Sequence, residues 1–243
     1  SSAASDVYKR QLSGYPLAAA YIKWGEKQRY HTRPTCKSRP HWWNLGSRPP
    51  ASFIWPMIHN DRSALALHAS CIIVDHNLFE ITYADGAVLV ASMAATYETM
   101  IRELLGRRNL GEGALKTEGV DIVNLLVFNP ARFSSAQRDP LLEALDKMAQ
   151  KPIRSIFEEL GFELCRERGC RNEEHPYEYV QADELTAEQI LAQVRKASPD
   201  RYELDRVIFD VLGLTVKERA DVYRAVVDLV KSRLLKARST KRK

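Results

Sequence analysis

The chain has 243 residues, 45% of them hydrophobic and 28% charged, enough to bury a sizeable core without disulfide or metal staples. No run approaches the ~18 uninterrupted apolar residues of a membrane span. Four cysteines (Cys36, Cys71, Cys165 and Cys170) in so long a chain, with no charged-then-apolar leader, exclude a secreted disulfide scaffold and point to the cytoplasm. The formal net charge of +5 divides into +6 over residues 23–62, −9 over 63–230 and +7 over 231–243, with the remaining +1 before residue 23. Two short basic segments around an acidic body are the asymmetry expected of a protein that meets a polyanion, nucleic acid first among them.

In chain order, residues 1–11 (SSAASDVYKRQ) have no periodicity and resemble a translated read junction, so they are set apart from the fold. Residues 12–62 hold Pro34, Pro40, Pro49, Pro50 and Pro56. They predict a structured loop region without long helices, with one edge strand over Ala51–Ile58. Ser70–Val74 and Leu78–Tyr83 read as a hairpin across Asp75-His76-Asn77. A helical stripe runs from Val88 to Arg107 through Val90, Met93, Tyr97, Ile101, Leu104 and Leu105, and stops at Gly106. Leu115 and Val120–Phe128 predict a further short strand before Asn129-Pro130.

Beyond Pro130 the pattern predicts helix after helix. Ser134–Gln150 and Pro152–Leu160 come first, the second ending at Gly161. Thr186-Ala-Glu-Gln189 and Thr215-Val-Lys-Glu218 are capping boxes opening two more helices. Between them a helix from Ser198-Pro199 carries Leu204, Val207, Ile208, Val211 and Leu212 on one face, closed by Gly213. The last helix buries Tyr223, Val226, Val227, Val230 and Leu234 and leads into a basic tail.

Signatures of catalysis are missing from the sequence. There is no G-x-G-x-x-G, no phosphate-binding G-x-x-x-x-G-K-[ST], no G-x-S-x-G and no H-E-x-x-H. Cys165-x4-Cys170-x4-His175 and Cys36-x4-His41 do not have zinc-ligand spacing, and no metal is expected. The strongest feature is aromatic and basic together: Trp24, Trp42, Trp43 and Trp55 lie within 32 residues, interleaved with Tyr30, Phe53 and eight cations. Cations neutralise phosphates while aromatic faces stack on bases, a pairing suited to DNA or RNA. The competing reading of each tryptophan is burial in a small core. For the tail, which includes Lys231, Arg233 and Lys236, it is charge complementing a helix C-terminus.

Several strings carry a resemblance. Gly14-Tyr-Pro, Tyr21–Glu26, Arg39-Pro-His-Trp-Trp-Asn-Leu45, Ile54–Arg62, Asn77–Ile81, Arg107–Lys116, Asp121–Leu125 and Asn129-Pro130 resemble, in order, the target-recognition region of large adenine-specific DNA methyltransferases of restriction-modification and phage-defence systems. The stretch Leu204–Ser239 is similar to their helical C-termini. Such enzymes use S-adenosylmethionine and a [DNS]-P-P-[YF] motif. The nearest strings here, Asn129-Pro-Ala-Arg132 and Arg48-Pro-Pro-Ala51, do not match it. The resemblance therefore implies the specificity part of a methyltransferase, with the catalytic domain upstream and missing and no cofactor held in this fragment.

The expected architecture is α+β: a small mixed or antiparallel sheet recognition module over 12–130, then a helical C-terminal domain with a basic tail over 131–243. The expected partner is duplex DNA, the location the prokaryotic cytoplasm beside the nucleoid, and no membrane is involved. A separate recognition module suits an enzyme that must extrude its target base. Arg and Asn read base edges and Lys holds phosphates, so the candidate DNA contacts are Lys37, Arg39, Trp42, Trp43, Asn44, Arg48 and Arg62. Arg108, Asn109 and Lys116 join them at a glycine loop. The alternatives are a standalone DNA- or RNA-binding or specificity-subunit-like protein, a protein-interaction module, or an unrecognised enzyme such as a nuclease.

Overall fold

A computed structural model describes residues 14–46, 51–67, 74–108, 113–162, 182 and 184–241, with side chains to residue 237. It divides into two compact units, residues 1–49 and 50–243.

In the first unit, helix α1 (Pro16–Lys27) is followed by a 3-10 turn (Tyr30–Thr32) and the one-turn helix α2 (Pro34–Lys37). Each helix begins with a proline, whose missing N–H would be unpaired there in any case. The expectation of no long helix before residue 62 fails for α1, because the prolines behind it all lie beyond Lys27. Past α1 the chain turns through Arg29, at a left-handed φ of 61°. Gly25 is the buried residue of α1. A Cβ built on it would stand 2.4 Å from Cη2 of Trp42, so the indole packs against the helix where no side chain fits.

The second unit is α+β. Strand β1 (Phe53–Pro56) is followed by β2 (Ile58–His59), β3 (Ala66–Leu67), β4 (Leu78–Ile81) and β5 (Leu115–Lys116). β1 is the centre of an antiparallel sheet ordered β3-β1-β4, not an edge, with Trp55 opposite Phe79. Pro56 closes β1, and Met57 turns the chain so that β2 pairs with β5 in a second, two-stranded sheet. The Met57 N–H donates to Asn77 and its carbonyl accepts from Thr117, tying the corner to both sheets. The first strand of the predicted hairpin, Ser70–Val74, lies almost wholly outside the described residues.

The helices of this unit are α3 (Gly86–Met93), α4 (Thr96–Leu105), α5 (Gly119–Ile122), α6 (Ser135–Ala149), α7 (Ile156–Glu159), α8 (Ala187–Ala197), α9 (Pro199–Leu212) and α10 (Val216–Lys241). The four capping and stop signals in the C-terminal half act as read. Thr186 Oγ1 accepts from Gln189 N–H and Gln189 Oε1 from Thr186 N–H. Glu218 closes the same loop with Thr215. Gly213 ends α9 at a φ of 68°, which a side chain would disfavour.

Three expectations are corrected. The single helix over 88–107 is two, because Asp205 on α9 accepts from both the N–H and the hydroxyl of Thr96 at 2.7 Å and caps α4 from outside. The predicted strand over 120–128 is the short helix α5 and an irregular stretch, whose Val120, Val123, Leu126 and Val127 face outward. Its start is set by Asp121, which accepts from the Glu118 N–H and from Arg107. Finally, α7 occupies only Ile156–Glu159 of the predicted 152–160 helix.

Helix α9 joins two cores. Leu204, Val207 and Ile208 pack with Phe53, Trp55, Val88, Leu89, Phe133, Leu141 and Leu145, so residues on both sides of Pro130 share one core. Phe209, on another face of α9, packs with Phe157, Leu160, Ile190, Val194, Tyr223, Val226, Val227 and Val230. Each such fully buried side chain contributes on the order of 1.5–3 kcal/mol.

Candidate nucleic-acid interface

In the first unit Lys23, Lys27, Arg29, Arg33, Lys37 and Arg39 are all exposed, and Glu26 is the one acid among residues 14–46. Their aromatic neighbours divide into two sets. Trp42 is half-buried on Gly25 and its Nε1 is enclosed without a hydrogen-bond partner; it shapes the unit. Trp43 is half-buried beside His41, ring centroids 5.7 Å apart. Tyr21 and Trp24 of α1 are 62% and 45% exposed. Asn44 is exposed, and its Oδ1 already accepts from the Gly46 N–H at 2.8 Å. Lys37 sits at the end of α2, with Arg39 just beyond it. Arg48 lies outside the described residues.

In the second unit Arg62 is exposed beyond β2. Arg107 and Lys116 bridge backbone to backbone, and Lys116 pairs with Glu118 at 2.9 Å. Arg107 is held by Asp121 at 3.0 Å and Glu118 at 3.3 Å; the hydrogen bond to Asp121 is the main cause that raises its pKa. Arg108 donates to the Glu103 carbonyl at 2.6 Å. Lys116 and Arg108 are therefore cations that the protein itself engages, whereas those of the first unit lie in a stretch nearly devoid of acid. Asn109 lies outside the described residues.

The second unit also holds a buried polar cluster that sequence reasoning missed. Helix α4 buries Ile101 of the predicted stripe but also Glu98, Arg102 and Glu103, and leaves Leu104 and Leu105 exposed. Arg233, read from sequence as part of the basic tail, is 4% exposed. It grips Glu103 through two parallel hydrogen bonds of 2.9 and 2.7 Å and also donates to the carbonyls of Gly113 and Asn60. Arg102 lies 4.3 Å over the Trp55 ring and donates to His59 Nδ1 at 2.7 Å. Trp55, counted from sequence with the aromatic-basic segment, is thus core. Burial, then the charges of Arg102 and Arg233, push the His59 pKa down to about 2, so its ring is neutral. Burial pushes Glu98 up to about 8 against the pull of Arg102, and both its oxygens lack a hydrogen-bond partner. The spacing of Glu98 and Arg102, one helical turn apart inside an apolar stripe, was the one sequence signal that could have revealed the cluster.

A cavity of about 690 Å³ opens between β3 and the helices, lined by Leu65, Val90, Leu145, Met148, Lys151 and Arg201 among others. Its cations are spoken for: Lys151 pairs with Asp200, and Arg201 with Glu159. Asn129, in the string nearest the methyltransferase motif, caps the 3-10 turn Pro130–Arg132 by accepting from the Ala131 N–H at 3.0 Å. Among the described residues no three His, Cys, Asp or Glu side chains converge as metal ligands, and no helix is long and apolar enough to cross a membrane.

An α+β domain with a basic, aromatic N-terminal unit and a helical C-terminal half is the class of protein these features define. The family model for the C-terminal domain of the type II methyltransferase M.Eco57I matches residues 7–160, and the chain belongs to that family. The matched span takes in every resembling string up to Asn129-Pro130; the Leu204–Ser239 stretch lies beyond it. No curated protein and no solved structure matches the chain.

Proposed function

We propose that this chain is the DNA-recognition part of an S-adenosylmethionine-dependent adenine methyltransferase and that it grips duplex DNA through its first unit. One observation carries the proposal: six exposed cations against a single acid in residues 14–46, in a chain of the methyltransferase C-terminal family. Arg39 is the proposed base-reading side chain, and Lys37 a phosphate contact. Arg62 extends the set in the second unit, while Arg108 and Lys116 hold the loop on which they sit. The strand pairs of the described residues are antiparallel.

The test is fluorescence anisotropy with duplex DNA over a range of salt. If all six cations meet phosphates, log K falls by roughly 5 for each tenfold rise in salt. Lys37→Ala shallows that slope by about 1 and weakens all sequences alike, whereas Arg39→Ala relaxes sequence preference by about 1–3 kcal/mol. Absence of binding at low salt, or affinity indifferent to salt, refutes the proposal.

A further inference from the structure

Three aromatic rings of the first unit, the exposed Tyr21 and Trp24 and the half-buried Tyr30, lie in mutual contact as a shelf. Tyr21 and Trp24, three residues apart on α1, have ring centroids 5.5 Å apart and planes tilted by 34°. The reversal at Arg29 brings Tyr30 back edge-on to Trp24, with centroids 5.4 Å apart. The Arg33 guanidinium lies 4.4 Å over the Tyr30 ring. Lys23, Lys27 and Arg29, neighbours of these rings in the sequence, are all exposed.

We infer that this shelf stacks on an unpaired base of opened DNA. The inference rests on the DNA-binding reading above and adds to it which state of the DNA is held. An intact duplex offers base edges in its grooves and phosphates along its flanks, but no base face. Rings exposed at 62% and 45% find a flat apolar partner in DNA where a base has left the stack. These cations select a polyanion over an apolar protein surface, and Arg33, planar and always charged, reaches a phosphate while its other face stays on Tyr30. Trp42, packed on Gly25, holds α1 in place. The shelf therefore acts once the target site is open, and the remaining cations act before.

The experiment compares the full chain on a duplex and on the same duplex carrying one bulged adenine, by anisotropy at fixed low salt. The bulged duplex binds roughly tenfold tighter, the order of one base stacked on an aromatic ring. Trp24→Ala brings the bulged duplex down to the level of the intact one, and Trp24→Phe restores most of the difference. Tyr21→Ala, at the most exposed ring, reduces the preference with far-ultraviolet circular dichroism unchanged, which separates loss of stacking from loss of folding. Equal affinity of the wild-type chain for the two duplexes overturns the inference. So does an equal loss on both from Trp24→Ala, or tighter binding of single-stranded RNA than of the bulged duplex. Failure to bind any DNA instead removes the reading of the preceding subsection.

Discussion

Glu98→Gln should raise stability at alkaline pH and leave it nearly unchanged in acid. Glu98 is fully buried, its oxygens lack hydrogen-bond partners, and its pKa is raised from 4.5 to about 8. The folded state thus binds a proton that the unfolded state has already released between those two values. The contribution is fully present below about 4.5 and is lost as pH rises through about 8. His59 works in the opposite sense. Its pKa falls from 6.5 to about 2, so its contribution is complete above 6.5 and is lost as pH drops towards 2. The two slopes oppose each other between 4.5 and 6.5, which places the stability maximum of this cluster there. From pH 6 to pH 8 the Glu98 term alone costs the wild type roughly 2 kcal/mol. The glutamine variant keeps the shape without the ionisation. Its advantage over wild type should therefore widen by about 2 kcal/mol across that interval, or roughly 4–8 °C in Tm for a chain of this size. Urea unfolding followed by Trp fluorescence is the assay, since Trp55 lies under Arg102 beside the cluster. Parallel pH profiles for wild type and variant would refute the placement of Glu98.

Two further perturbations bear on what holds the interface. Arg233→Met leaves Glu103 charged, buried and unpaired and should cost about 3–5 kcal/mol in urea unfolding; adding Glu103→Leu should recover most of it, and no recovery would contradict the buried pair. Gly25→Ala drives a methyl into the Trp42 ring, at an expected cost of about 1–3 kcal/mol. It should speed tryptic cleavage after Lys37, and an unchanged rate would refute the packing of Trp42 on α1.

Local chemistry was legible where it is decided by neighbours in the chain. The Thr186 and Thr215 boxes and the glycine stop at Gly213 read correctly, because each is a hydrogen bond or a φ value satisfied within a few residues. The stripe of α10 also read correctly, since a 3.6-residue repeat marks a buried face whatever it packs against; that of α9 holds for Leu204, Val207 and Ile208, while Leu212 is exposed and Phe209 is buried on another face. The family, too, was readable from the order of strings between Gly14 and Pro130.

Tertiary structure alone decided which polar and aromatic side chains are inside. Arg233 and Lys236 sit three residues apart in one basic run, yet one is buried on Glu103 and the other is exposed. The difference is made by a carboxylate 130 positions away in sequence. The break between α3 and α4 is made by Asp205, which no local window contains. Of the tryptophans, Trp55 lies in the core, Trp42 lies on a glycine and Trp24 faces solvent. Composition sets how many cations and rings the chain has; long-range pairing, which depends on where distant segments meet, sets which of them remain at the surface.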